Sequence, residues 1–176
     1  METLKYCKIR EVKSPVRGTS VAAGIDFFIP TNISVDTFAE KCRITNCHPE
    51  YNLTDDGFIK DIMIRPGESV MIPSGIKMKI MDGWALVFMN KSGIGVKKQL
   101  SVLACVIDQD YEGEVHINLV NTGNEIQTIS GGDKIVQGVL LPMNYAVPEE
   151  VENEETLFAG SESARGEGGF GSTGSR

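Results

Sequence analysis

The sequence predicts an all-β fold, a barrel or a jelly-roll-like sandwich, and three observations predict it. Short runs alternate apolar and polar residues, turn-forming clusters separate those runs, and no long stretch carries the periodicity of an amphipathic helix. In chain order the first candidate strand is residues 4–9, followed by 58–64 and 68–72. In residues 75–81, Ile76, Met78 and Ile80 share one face while Lys77 and Lys79 take the other. Residues 84–89 and 101–107 follow. Residues 114–120 repeat the alternation, with Val115, Ile117 and Leu119 opposite Glu114, His116 and Asn118. Residues 134–141 are the last candidate. Arg65-Pro66-Gly67, Pro73-Ser74-Gly75, Asp82-Gly83, Asn121-Thr122-Gly123 and Gly131-Gly132-Asp133 supply the turns.

Two segments depart from this pattern. Residues 31–56 are polar, hold Cys42 and Cys47, and lack clear alternation; a short helix is expected near residues 36–42, capped by Ser34 or Asp36. From Pro148 the chain is acidic, with Glu149, Glu150, Glu152, Glu154 and Glu155, and then rich in glycine. Such a tail cannot bury enough apolar surface to hold itself in place. The expected organisation is therefore a β-barrel domain over residues 1–147, an acidic linker over 148–164 and a flexible Gly-rich arm over 165–176.

Composition narrows the function classes. At 176 residues with 41% hydrophobic and 23% charged residues, the chain suits one domain with a real core. No apolar run approaches the ~20 residues that span a bilayer. Glu2, Lys5, Lys8 and Arg10 interrupt the N-terminus, which does not read as a signal peptide. A cytoplasmic protein is expected. The net charge of −7 argues against bulk binding to nucleic acid or anionic membrane. A small anion can still bind where basic groups and backbone amides concentrate. Cys42 and Cys47-His48 lack a second ligand pair, so the four cysteines read as free thiols, with no disulfide and no structural zinc.

Hydrolysis of a phosphoanhydride needs donors for the leaving group, a water aimed at phosphorus and a means of reading the base. The tail offers glycines for close backbone approach, Arg165, Ser172 and Thr173 as phosphate donors, and Phe170 as a plate for a base. Alone this is suggestive; five segments in order are specific. They are Ala23-Gly24-Ile25-Asp26, then Lys91-Ser92-Gly93-Ile94-Gly95-Val96-Lys97, then Val106-Ile107-Asp108-Gln109-Asp110-Tyr111-Glu112-Gly113. Gly132-Asp133-Lys134-Ile135-Val136-Gln137 and the stretch from Arg165 to Gly174 complete the set. In order and type they resemble the five motifs of the trimeric dUTPase family, over residues 21–174 apart from 31–64.

The resemblance implies a jelly-roll-like β-barrel that hydrolyses dUTP to dUMP and pyrophosphate, and it implies roles. Asp108 becomes the general base that orients water toward the α-phosphorus. Tyr111 packs under the deoxyribose and leaves no room for a 2′-hydroxyl. The main chain of the hairpin through Val102, Cys105, Val106 and Ile107 reads uracil, with His116 a neighbour through its backbone. Cys105 stands where the family often has glycine. Lys91, Ser92, Gly93 and Gln137 hold phosphate oxygens, and lysine stands at 91 and 134 where the family favours arginine. Asp133 reads as a turn or ion-pair residue. Arg165, Phe170, Gly171, Ser172 and Thr173 close over the γ-phosphate and the base. Mg2+ arrives with the triphosphate and touches Asp26 only through water. A homotrimer with sites shared between subunits is implied.

The nearest rival is a dCTP deaminase or bifunctional relative. Those enzymes carry a catalytic glutamate where this chain has Asn118, and phenylalanine where it has Tyr111, which argues against deamination. A regulatory binding protein on a dUTPase scaffold is the rival from another class. Residues 31–64 are longer than the family's connection and are the place for a protein partner, although a surface elaboration is the plainer expectation. Such an insertion suits a bacterial or phage enzyme.

Overall fold

In the computed structural model, which describes residues 3–164 and 166–168, the expected alternation becomes strands. The elements are β1 (Lys5–Lys8), β2 (Ile25–Phe28), α1 (Val35–Thr45), β3 (Glu50–Leu53), β4 (Ile59–Ile64), β5 (Ser69–Pro73), β6 (Ile76–Lys79) and β7 (Trp84–Asn90). They continue with α2 (Ser92–Lys98), β8 (Leu100–Val102), β9 (Val106–Ile107), β10 (His116–Asn121), β11 (Gln127–Ser130), β12 (Lys134–Pro142) and α3 (Glu154–Leu157). The strands pair antiparallel as β2-β12-β7-β9, β5-β10-β8, β11-β4-β3 and β1-β6. The architecture is the all-β, jelly-roll-like one that the sequence predicts.

Alternation sends Ile117 and Leu119 of β10, Ile76 and Met78 of β6, and Leu86 and Phe88 of β7 into one apolar core. Each such side chain contributes about 1.5–3 kcal/mol on burial. Phe27 and Phe88 meet edge-on at 4.9 Å between ring centroids. Gly138 of β12 lies against them, and a Cβ there would come within 2.8 Å of Leu86 Cδ1 and 3.1 Å of Phe27 Cε2.

Three local expectations are corrected. Residues 101–107 are not one strand: β8 pairs with β10, β9 pairs with β7, and exposed Leu103 and Ala104 carry the chain between the two sheets. The helix near 36–42 runs on to Thr45, with Ser34 as its cap accepting from the Thr37 amide at 3.3 Å. Phe38 and Cys42, one turn apart, are both buried, so residues 31–64 are part of the core as well as its surface. α2 was not foreseen, because two of its seven residues are glycine.

The chain divides into two units, Met1–Asn144 and Tyr145–Arg176. Within the second, α3 is capped by Asn153, whose Oδ1 accepts from the Thr156 amide at 2.9 Å. Among the described residues no helix is long and apolar enough to cross a membrane.

Candidate active site

The crossover between sheets frames a cavity of about 170 Å³, lined by Ala104, Val106, Ile107, Asp108, Tyr111, Val115 and His116. Its shape follows from local chain constraints. The Tyr111 amide donates to the Asp108 carbonyl at 3.2 Å, closing a turn. Gln109 pins that turn to the neighbouring one: its Oε1 accepts from the Gly83 amide at 2.7 Å and its Nε2 donates to Asp82 Oδ1 at 3.2 Å. Asp108 is left exposed at the cavity mouth. The Tyr111 hydroxyl donates to the Glu114 carbonyl at 2.9 Å, laying the ring over Gly113, where a Cβ would collide with it.

Glu114 fastens this corner to the rest of the barrel. Arg10 reaches it with two hydrogen bonds, at 2.8 and 3.0 Å, and the Gly75 amide donates to it at 2.8 Å. Burial works against the Glu114 carboxylate, but these donors and the Arg10 charge outweigh it and hold the carboxyl below the ordinary glutamate range. His116 responds oppositely. Burial, with Lys41 of α1 adding to it, pushes its imidazole below the usual histidine value. Its Nε2 is sealed from solvent with no hydrogen-bond partner among the described residues, as is Asn118 Oδ1 on the same face of β10.

A second group forms around Asp26 on β2. Lys91 Nζ lies 2.5 Å from Asp26 Oδ1 and Lys134 Nζ lies 2.9 Å from Oδ2, so each lysine takes one oxygen. Burial disfavours the charge, yet the two lysines more than offset it and lower the Asp26 carboxyl. Ser92 and Gly93 are exposed at the start of α2, whose first turn is closed by the Lys91 carbonyl accepting from Ile94 and Gly95. Gln137 Nε2 donates to the Asn90 carbonyl at 3.0 Å. Its side chain fills the space over Gly24, where a Cβ would meet Oε1 at 2.4 Å.

The predicted residues thus gather in two places. Asp108, Tyr111, His116, Val106 and Ile107 surround the cavity; Asp26, Lys91, Ser92, Gly93 and Gln137 form the other group. Asn90 ties the second group to β8: its carbonyl accepts from Gln137 Nε2 and its Oδ1 accepts from the Val102 amide at 2.8 Å. The Cys105 carbonyl accepts from the Phe88 amide at 2.7 Å as part of the sheet. Asp133 closes a turn, accepting from the Ser130 amide at 3.0 Å. Arg165, Phe170, Gly171, Ser172 and Thr173 lie outside the described residues. Sequence reasoning missed Ala104, Val115 and the linking role of Asn90; only the last had a signal, its place beside Lys91.

Among the described residues no three His, Cys, Asp or Glu side chains gather into a metal cage. Both Asp26 oxygens face ammonium groups, which leaves contact through water as the role open to it.

Fold and site together define a small all-β protein with a cavity at a strand crossover and a paired-lysine group around one carboxylate. The dUTPase family model matches residues 57–174, and the chain belongs to the dUTPase family. It is similar to the deoxyuridine 5′-triphosphate nucleotidohydrolase of Escherichia phage T5, 39% identical over 119 residues, covering 64% of this chain and 74% of that one. The Pseudomonas putida KT2440 enzyme of the same name is 41% identical over 119 residues, covering 66% and 75%. In fold it is similar to the dUTPase of Staphylococcus bacteriophage 80alpha solved with dUpNHpp, at TM-score 0.73 and 21% identity over 99% of both chains. A mutant dUTPase from phage phi11 of S. aureus, described as coordinating a structural Mg(II) ion, aligns at TM-score 0.63 and 20% identity, over 88% of this chain and 99% of that one.

Proposed function

We propose that this chain is a dUTP diphosphatase, hydrolysing dUTP to dUMP and pyrophosphate by attack of water on the α-phosphorus. The reaction limits uracil in DNA and supplies dUMP for thymidylate synthesis. The observation that carries the reading is the convergence of Asp108, Tyr111 and the Val106–Ile107 backbone on one cavity in a member of this family. Asp108, exposed at the mouth, orients and deprotonates the water. Tyr111, held by the Glu114 carbonyl, forms the platform for deoxyribose and excludes a 2′-hydroxyl. The Val106–Ile107 backbone reads the uracil edge beside His116. Lys91, Ser92, Gly93 and Gln137 hold phosphate oxygens, with Lys134 beside them.

Mg2+ bound with the triphosphate would neutralise phosphate charge, with Asp26 reaching its waters. Arg165, Phe170, Gly171, Ser172 and Thr173 serve as the closing arm, and the working form is a cytosolic homotrimer whose sites draw on several subunits. The test is pyrophosphate release from dUTP, dCTP, dTTP and UTP, with ammonia release from dCTP measured in parallel. Turnover confined to dUTP is expected. Asp108→Asn should lower it about 10²–10⁴-fold while nucleotide binding persists. Near-normal turnover by that folded variant would assign the water to another residue.

A further inference from the structure

Cys42 and Cys47, which the active-site account does not use, are set against each other by the way α1 ends. Asn46 stops the helix in the left-handed conformation, at φ 51° and ψ 35°. Its amide donates to the Arg43 carbonyl at 3.4 Å, and the Cys47 amide donates to the Cys42 carbonyl at 3.2 Å. These nested bonds make a Schellman motif, in which the residues joined by the outer bond also bring their side chains together. In most helices that contact is apolar; here both residues are cysteine. The outer bond draws the two residues together across the helix end, and a disulfide spans Cα separations of about 4.4–6.8 Å.

We propose that Cys42 and Cys47 are a redox pair that closes into a reversible disulfide when a peroxide reaches the end of α1. Both are thiols in this structure. Cys47 is half-buried and its Sγ lies 3.1 Å from Ser69 Oγ, a hydroxyl able to donate to a thiolate. Cys42 is 8% exposed and lines a groove of about 660 Å³ together with Arg43 and His48. Burial, reinforced by Cys47 and Glu68, pushes the Cys42 thiol up, and the less buried Cys47 is the sulfur that a peroxide reaches first.

The steps balance. The Cys47 thiolate attacks a peroxide oxygen, the O–O bond breaks, hydroxide leaves and a sulfenic acid forms. The Cys42 sulfur then attacks the Cys47 sulfur; the S–O bond breaks and the oxygen leaves as water with the Cys42 proton. Two thiols lose two electrons and one peroxide becomes two waters. The bond fixes the end of α1 and draws Cys47 away from Ser69 on β5.

The test treats the full chain with hydrogen peroxide, alkylates the remaining thiols and digests without reductant. Trypsin cuts after Lys41 and Arg43, so Cys42 and Cys47 fall on separate peptides that only a disulfide can join. Expected are loss of two of the four thiols, a peptide of residues 42–43 linked to residues 44–60, and full reversal by dithiothreitol. In Cys47→Ser the Cys42 thiol should persist at least tenfold longer, and in Cys42→Ser dimedone should trap a sulfenic acid at Cys47. A free Cys42 in the oxidised wild-type protein, a link from either cysteine to Cys7 or Cys105, or unslowed loss of Cys42 in Cys47→Ser would overturn the proposal.

Discussion

Gly113→Ala separates the stability of the barrel from the geometry of the site. A Cβ at Gly113 would lie 2.3 Å from the Tyr111 hydroxyl oxygen, 2.4 Å from its Cζ and 2.9 Å from its Cε2. Gly113 is not among the positive-φ glycines, so the effect comes from the added methyl and not from backbone strain. The ring has to move, and at 42% exposure it can swing toward solvent. The cost is its hydrogen bond to the Glu114 carbonyl, about 1 kcal/mol, and not the about 1–3 kcal/mol of an overpacked core. Tm should fall by about 2–4 °C. Catalysis should suffer more, because the displaced ring no longer forms a wall of the cavity. Loss of one aromatic platform, about 1.4 kcal/mol, corresponds to roughly tenfold in kcat/KM for dUTP. UTP should meanwhile gain relative to dUTP. The assay is pyrophosphate release with both nucleotides beside calorimetric melting. A variant whose Tm falls as expected but whose dUTP-to-UTP ratio stays at the wild-type value would refute Tyr111 as the sugar platform.

Gly138→Ala should do the reverse. Its Cβ drives into Leu86 and Phe27 in the core, costing about 1–3 kcal/mol in melting experiments with base selectivity unchanged. Glu114 sets an acid-side dependence: its folded pKa is lowered, so its stabilisation is present above the unfolded glutamate value of about 4.3 and is lost as pH falls through the folded value. Glu114→Gln should therefore melt lower than wild type at neutral pH and lose less Tm on acidification below about pH 4. Lys91→Arg should weaken binding of dUpNHpp in calorimetric titration because arginine crowds the site, and a tenfold gain, roughly 1.4 kcal/mol, would show lysine to be a mere weaker substitute.

Strands long enough to alternate several times were legible in the sequence: β4, β7, β10 and β12 follow from their apolar periodicity. β3 is exposed along its length and β11 has Ile129 as its one apolar residue, so neither marks a buried face. α2 contains Gly93 and Gly95, and tertiary packing of Ile94 against the core overrides their poor propensity. The core role of residues 31–64 was hidden for another reason. Phe38 and Cys42 lie one turn apart on α1, but polar residues surround them and mask the face they share.

The site was legible as motifs but not as contacts. Position alone marks Asp108 and Tyr111; it does not show that Gln109, Gly113 and Glu114 hold them. The two lysines at 91 and 134 read as two separate weakenings of an arginine pattern, and the structure joins them through one carboxylate. Asp26 has two oxygens, and a compact ammonium takes each. A planar guanidinium at 91 would seek both oxygens at once, in competition with Lys134. The second lysine is therefore matched to the first, and the pair leaves two positive charges against one negative where phosphate oxygens are expected. Replacing either lysine alone should therefore disturb an arrangement that depends on both, and arginine at 91 should restore the family's residue without restoring its geometry.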